Sequence, residues 1–428
     1  MNKINKKIYY KIEFELASPL MIGNGENQFT DKDIAKNSKG QPYVPGSALA
    51  GINRALIKDD ALVNQYFGYI NNNDLASSKF LFYDANLVSD TAYVTRRDSV
   101  ALNENKTVDE DAKFDMEVVE TGAKFVTFIE QNVIYGDNEN FADQLLQAWL
   151  NEDIYIGAKT MRGYGAIKNV HVVKKAFCFD GTDSNDVSAW LDFDMYADQS
   201  WVDSVKIEKK ECTPVYQLCL ELKQAGGISI RRYTTEVAPK DSEKAMPDQE
   251  QLTLKNGKPI IPGTSWAGAF RHRIKYFAKQ SGVCEDVIKE CFGIVETVKQ
   301  DNQKVQIKKR AKVRFSETEL EGTIEKVLSR NSIDRFTGGT VDGALFTDKT
   351  FYDGTTTLTI TFEENPSDEI KRLFAAAIAD LNAGYLAVGG LTAIGRGLFQ
   401  VKKVNGQENK NNHNLYNNVY EVMKHWGV

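Results

Sequence analysis

The sequence predicts an α+β protein built from two tandem ferredoxin-like domains, and three observations carry that prediction. A chain of 428 residues is too long for one compact core and suits two domains. One stretch occurs twice, as PYVPGSALAGINRAL from Pro42 to Leu56 and as PIIPGTSWAGAFRHRI from Pro259 to Ile274. Pro42/Pro259, Pro45/Pro262, Gly46/Gly263, Ala50/Ala267, Gly51/Gly268 and Arg54/Arg271 correspond without a gap, and internal self-similarity is a statement about architecture. Each half also runs strand, helix, strands, helix, strand. That order supplies too few helices for a doubly wound parallel sheet and fits a split βαβ core.

In the first half, alternation over 8–16 (IYYKIEFEL) predicts a strand. A long irregular loop follows from Leu20 to Gln41, rich in Gly, Asn and Asp. The repeated stretch then starts a helix that ends near Lys58, and a YFG at Tyr66 to Gly68 precedes a strand over Ser78 to Ala85. Residues 97–113 are polar and charged and read as an extended arm or hairpin. Phe114 to Gln131 alternates again, Glu139 to Leu150 has helical period, and a glycine loop leads into a last strand.

The second half answers each element. A strand spans Pro214 to Leu222, a second long loop leads to a helix reaching Gln280, and CFG at Cys291 to Gly293 matches YFG. Ala311 to Thr318 matches Ser78 to Ala85, Gly354 matches Gly122, and a helix covers Ser367 to Asn382. Gly157/Gly389, Thr160/Thr392, Gly163/Gly395 and Gly165/Gly397 fall at one offset. The expected boundaries are 1–174 for the first domain, 175–212 for a linker with a short docking helix, 213–404 for the second domain and 405–428 for a tail. Residues 295–310 read as a charged insertion.

Hydrophobic residues make up 42% of the chain and charged residues 26%, a globular balance. No apolar run reaches membrane-spanning length, so no membrane partner is expected. The N-terminal MNKINKKIYY lacks the apolar stretch of a signal peptide, and the five cysteines contain no CxxC pair. Reduced thiols and a cytoplasmic location are therefore expected. Four histidines with no HxH or HxxxH pair argue against a zinc enzyme. A net charge of −6 argues mildly against a free-standing nucleic-acid binder, although phosphate affinity depends on local charge.

Several features suit phosphate chemistry. Ser47 and Thr264 stand where a helix N-cap belongs, and a helix begun there points amides and a positive dipole end outward, with Arg54 or Arg271 further along. Either copy alone reads as an ordinary capped helix; two copies shift the balance. The glycine loops interleave cations, Lys159 and Arg162 in one and Arg396 in the other, which suits a sugar-phosphate backbone. A tight turn before a strand explains one such loop equally well, and the spacing is not that of a P-loop. The long loops carry Asp31 and Asp33, then Asp248 and Glu250. A loop carboxylate can hold Mg²⁺ or help deprotonate a ribose 2′-hydroxyl, although exposed acids are most often simply solvated. His272 lies in the cationic cluster Arg271, His272, Arg273, Lys275, but Ala55 stands at its place in the first copy, which favours a solvated or phosphate-facing helix side over a general base.

An irregular loop, PYVPGS heading a helix, an FG, a strand, an arm beginning R-x-S-(V/I) and a late glycine loop together resemble the RAMP superfamily of CRISPR-associated proteins. The resemblance covers nearly the whole chain and is nearest to the backbone subunits of type III effector complexes, here as a tandem fusion like that of some type III-D variants. It implies RRM-like (RAMP) domains, each with a long loop and a thumb-like hairpin, at about Leu102 to Lys113 and Arg335 to Leu345. It implies guide CRISPR RNA, target RNA and other type III effector subunits as partners. It further implies metal-dependent endoribonuclease cleavage of target RNA, with Mg²⁺ or Mn²⁺ at Asp31 and Asp248. Asp31 is followed by Lys32 and Asp33 where the family has D-x-P, so Asp33 stays an alternative, and Glu250 likewise beside Asp248. A one-residue shift of register would set Gln249 opposite Asp31 and leave the second half inactive. The implied RNA contacts are Ser47, Arg54, Arg97, Lys159, Arg162, Gly163, Arg231, Arg232, Thr264, Arg271, Arg273, Arg330 and Arg396. A Lys common in the family is replaced by Ala50 and Ala267, which throws weight on Arg54 and Arg271. The alternatives are a non-catalytic guide scaffold and a metal-independent CRISPR RNA-processing endoribonuclease.

Overall fold

A computed structural model describes residues 3–23, 33–71, 74–88, 92–102, 108–179, 184–210, 216–232, 247–300, 303–409 and 414–426. Two compact units form. The first comprises Met1–Arg97, Asp115–Thr160 and Tyr164–Cys212, and the second Asp98–Phe114, Met161–Gly163 and Thr213–Val428.

The first unit contains β1 (Ile4–Leu16), α1 (Gly46–Leu56), α2 (Asp60–Phe67), β2 (Phe80–Phe82) and β3 (Ala85–Leu87). Next come β4 (Val94–Leu102) and β5 (Val108–Val119), whose residues within Asp98–Phe114 count with the second unit, then β6 (Lys124–Ile134), α3 (Ala142–Leu150), β7 (Ile167–Cys178) and α4 (Ser184–Leu191). β1 lies between β7 and β6, and β2 and β3 both pair with β6, all antiparallel. The first core strand thus sits between the third and the last, as a split βαβ core requires. Alternation along β1 sends Ile8, Tyr10, Ile12, Phe14 and Leu16 to the helix side, where they meet Leu49, Leu145, Leu146 and Trp149. The Trp149 indole donates to Asn53 Oδ1 at 3.1 Å and thereby ties α3 to α1. The opposite sheet face carries Tyr9, Phe128 and Phe177. It is covered by Trp190, Phe193, Met195 and Trp201 from the segment expected to be a linker. Trp190 donates to the Tyr9 hydroxyl at 3.0 Å.

The second unit contains β8 (Tyr216–Gln224), β9 (Arg231–Arg232), β10 (Gln249–Gln251), α5 (Gly263–Ser281) and α6 (Glu285–Phe292). It continues with β11 (Ile294–Gln300), β12 (Gln303–Lys309), β13 (Val313–Phe315), β14 (Ile324–Ile333) and β15 (Thr340–Tyr352). It ends with β16 (Thr355–Phe362), α7 (Asp368–Ala383), β17 (Phe399–Val404) and α8 (Leu415–Lys424). Antiparallel pairings give the order β17-β8-β16-β13, the same ferredoxin-like topology. Leu220, Trp266, Phe270, Leu358, Phe374 and Leu381 lie in one core, and the terminal helix adds Leu415, Val419 and Met423 to it. The other face of this sheet is hydrophilic, with Gln217, Thr355, Thr357, Gln400 and Lys402 exposed. The charged insertion is the hairpin β11–β12.

A second sheet in this unit has the order β9-β10-β15-β14. β10 joins β15 in parallel, Gln249 opposite Asp348 and Glu250 opposite Lys349. The hairpin β14–β15 turns at Asp334, whose Oδ1 accepts from the amides of Thr337 at 2.7 Å and Phe336 at 3.0 Å. At this turn Phe336 is 98% exposed.

Two helices, α2 and α6, were not evident from periodicity because each spans only eight residues. The YFG and CFG marks are their C-terminal ends, with Gly68 and Gly293 at φ 74° and 72°. Among the described residues, no helix is long and apolar enough to cross a membrane, and Cys178, Cys219, Cys284 and Cys291 are all free thiols.

Candidate nucleic-acid interface

The repeated helices present matching faces. Ser47, Gly51 and Arg54 are exposed on α1, and Thr264 and Gly268 are exposed on α5 with Arg271 half-exposed. A Cβ added at Gly51 or at Gly268 would meet nothing within 4 Å. Glycine in a helix interior costs about 1 kcal/mol relative to alanine. Neither packing nor backbone conformation within the chain calls for glycine at these two positions. The Arg54 and Arg271 side chains have no ion-pair or hydrogen-bond partner among the described residues.

The helix starts differ from expectation. Pro45 and Pro262 are the N-cap residues, no side chain caps either helix, and Ser47 and Thr264 lie inside the first turn. In the first unit the Gly46 amide donates to Asp84 Oδ1 at 2.7 Å. A carboxylate from the chain itself therefore stands where a phosphate was expected, and the helix dipole favours it there. An anion approaching α1 is left with Arg54.

The glycine loops are also corrected. Their glycines admit the chain's own backbone: a Cβ on Gly157 would collide with the Met21 carbonyl, and one on Gly389 would strike the Ser229 carbonyl. Ala158 N donates to Met21 O at 2.7 Å, and Gly390 N to Ser229 O at 2.7 Å. These loops clamp the start of each long loop. Gly163 is buried with φ 85°, so it offers no surface to a ligand.

The cations separate into two groups. The side chains of Arg54, Arg162, Arg231 and Arg271 have no ion-pair or hydrogen-bond partner among the described residues, and Arg162 and Arg231 are exposed. The others are engaged. Arg97 is buried, and Lys159 Nζ lies 3.2 Å from the Met116 thioether. Arg273 pairs with Asp380 at 2.5 Å while lying over Tyr276 and Phe277. Arg396, 4% exposed, bonds Asp348 Oδ2 at 2.9 Å and the Tyr352 hydroxyl. Arg330 holds the other oxygen of Asp348 at 2.5 Å. Arg396 is thus buried and structural, contrary to the expectation of RNA contact, while Arg273 and Arg330, both half-exposed, are half-committed. Asp348 and Tyr352 had no mark in the sequence, because a buried ion pair has no local signature. The Arg232 side chain lies outside the described residues.

Of the two expected acids, Asp31 lies outside the described residues. Asp248 is exposed, and its Oδ2 accepts from the Thr347 amide at 2.7 Å, which fixes it beside the root of the hairpin β14–β15. Gln249 points inward instead, 7% exposed, donating to Ser229 Oγ at 2.6 Å. Glu250 is half-buried on β10. In the first unit the long loop is tied to the returning hairpin strand as well: Lys36 Nζ reaches Glu117 at 2.9 Å, and the Ile34 amide reaches it at 3.4 Å.

The sheet faces do not offer the aromatic platform by which RRM domains stack bases. The first is roofed by its own aromatic segment and the second is lined by Thr, Gln and Lys. Among the described residues, the helix faces and the loop–hairpin roots are also open.

No curated protein matches this chain. The sequence model of the RAMP superfamily matches residues 13–168 and 210–400, one stretch in each half and most of the chain. With two ferredoxin-like units of repeated design behind that match, the chain belongs to the RAMP superfamily and is a CRISPR-associated RNA-binding protein of two tandem family domains.

Proposed function

We propose that this chain is a backbone subunit of a type III CRISPR ribonucleoprotein, which holds guide CRISPR RNA on its helix faces and cleaves complementary target RNA at loop aspartates. One observation carries the reading: both units keep an exposed, sterically free glycine inside the repeated helix, with an arginine further along the same helix whose side chain has no partner among the described residues. Close approach of a backbone from outside the chain is what such a glycine allows. The arginine then meets phosphate. The exposed Phe336 at the β14–β15 turn suits a wedge that displaces a nucleotide from a guide–target duplex.

Cleavage would use Asp248, held beside the hairpin root, and Asp31 in the first half. A displaced nucleotide frees the strand to bend until its 2′-hydroxyl stands in line with the leaving 5′-oxygen. Asp248 would then accept the 2′-hydroxyl proton or supply an oxygen ligand to Mg²⁺. Among the described residues no three His, Cys, Asp or Glu side chains gather as a metal cage. A single loop carboxylate in each unit is the kind of ligand Mg²⁺ takes, since it is commonly bound by one or two carboxylates together with substrate phosphates and water. When bound, the ion would stabilise charge developing on the phosphate.

A scaffold role for the second half is the competing reading, favoured by the hydrogen bond that already occupies one Asp248 oxygen. The test is target-RNA cleavage by the assembled complex in Mg²⁺, comparing wild type, Asp31→Ala, Asp248→Ala and the double variant, each also with EDTA. Loss of a different product band in each single variant supports two nuclease sites. Loss only with Asp31→Ala makes the second half a scaffold. Unchanged cleavage by the double variant removes both residues from the chemistry.

A further inference from the structure

Beside α1, along the helix face that carries Gly51 and Arg54, lies a groove of about 380 Å³. Its wall is aromatic, formed by Phe67, Phe80 and Phe82, and its helix side carries Ser47, Gly51 and Arg54. Phe67 and Phe82 are half-exposed and stacked, 5.9 Å between centroids and 13° between planes. Phe80 is buried behind them.

We propose that this groove takes one nucleotide of a bound RNA strand, its base against the Phe67–Phe82 wall and its phosphate at Arg54. The inference rests on the RNA-binding reading and deepens it. Three features select the occupant. The wall is apolar and aromatic, and every nucleobase has a π-face to lay on it. The rim carries one cation with no partner among the described residues and no acid, so it complements a group that is flat at one end and anionic at the other. Gly51 leaves the mouth open.

Recognition would be indifferent to sequence. Ser78, at the groove's edge, has its hydroxyl committed to the Phe80 carbonyl at 2.8 Å and accepts from the Phe80 amide at 3.1 Å. Ser47 alone is left to address a base edge. The second unit repeats the wall only in part: Phe315, aligned with Phe82, is 2% exposed, while Phe292, aligned with Phe67, is half-exposed and stacks on Phe374 at 5.9 Å and 6°.

The experiment uses the full chain and single-stranded RNA with 4-thiouridine substituted along its length, or with abasic sites. Crosslinks are expected on the peptides bearing Phe67 and Phe82. Gly51→Leu should fill the groove and weaken binding at least about fivefold, one stacked base being worth that much or more. Its melting temperature should be unchanged or higher, since leucine is the better helix former. Phe67→Leu and Phe82→Leu keep apolar bulk and remove the π-face. They should weaken binding of intact RNA and leave binding of abasic RNA unaltered. Wild-type affinity in all three variants, with binding still dependent on Arg54 and Arg271, overturns this inference alone. Groove variants that lose assembly with neighbouring subunits but keep RNA affinity overturn it in favour of a protein side chain as occupant. A wild-type chain that binds no RNA overturns this inference and the RNA-binding reading together.

Discussion

Arginines that look alike in the sequence have opposite work in the fold. Arg54 and Arg271 occupy one place in the repeat and are unpartnered among the described residues, whereas Arg396 is sealed inside its unit against Asp348 and Tyr352. Arg54→Ala and Arg271→Ala should each weaken RNA binding about equally for all sequences and reduce the salt slope by about 1, with melting unchanged. Arg396→Ala should lower stability by about 3 kcal/mol, because it removes one partner of a buried charge pair. Binding isotherms at several salt concentrations and thermal melts separate the two classes. The sequence marked Arg54 and Arg271 because they recur at matching places. It also marked Arg396, and wrongly as a surface contact, since a guanidinium next to two glycines reads the same whether it faces water or a carboxylate far along the chain.

At the scale of the element, two glycines of each repeated helix divide the same way. A Cβ on Gly46 or Gly263 would collide with the carbonyl of Phe82 or Phe315, so these glycines let the helix start against its strand. Gly51 and Gly268 have open space. Gly46→Ala and Gly263→Ala should destabilise by at least about 1–3 kcal/mol, while Gly51→Ala and Gly268→Ala should stabilise by about 1 kcal/mol each and impair RNA binding. Denaturant titration beside RNA affinity reads both effects. The β14–β15 turn carries a pH dependence of its own. Hydrogen bonds from the Thr337 amide and hydroxyl, then from the Phe336 amide, hold the Asp334 carboxyl below the usual carboxylate range. A depressed folded-state value contributes stability above the unfolded value of about 3.9, and that contribution is lost as pH falls through the folded value. The Thr337 and Phe336 amide resonances should therefore hold steady from pH 7 to about pH 5 and shift only in more acid solution. Short elements were the hardest to read from sequence. Helices α2 and α6 give too few turns for periodicity, yet the Asp59 carboxylate accepting from the Ala61 amide at 2.8 Å is a local cap that the sequence does display.

For the molecule as a whole, two units of one design place two similar helix faces on one chain. The Arg54→Ala, Arg271→Ala double variant should lose affinity as the sum of the single losses and reduce the salt slope by about 2, provided one RNA strand engages both units. A double variant no worse than either single variant would mean that only one face is used at a time. Sequence alone determined the duplication, the order of elements, the α+β class and the family, because strand alternation, helical period and glycine punctuation are local and were written twice. It also singled out the helix faces, since Gly51/Gly268 and Arg54/Arg271 are kept in both copies while Ile52, Asn53 and Ala55 give way to Ala269, Phe270 and His272. Tertiary structure alone decided which charges are spent. The pairing of Arg330 and Arg396 with Asp348, the Asp84 carboxylate at the start of α1 and the aromatic segment over the first sheet all join residues distant in sequence. Burial and ion pairing depend on what the folded chain brings into contact, and no window of neighbouring residues records that.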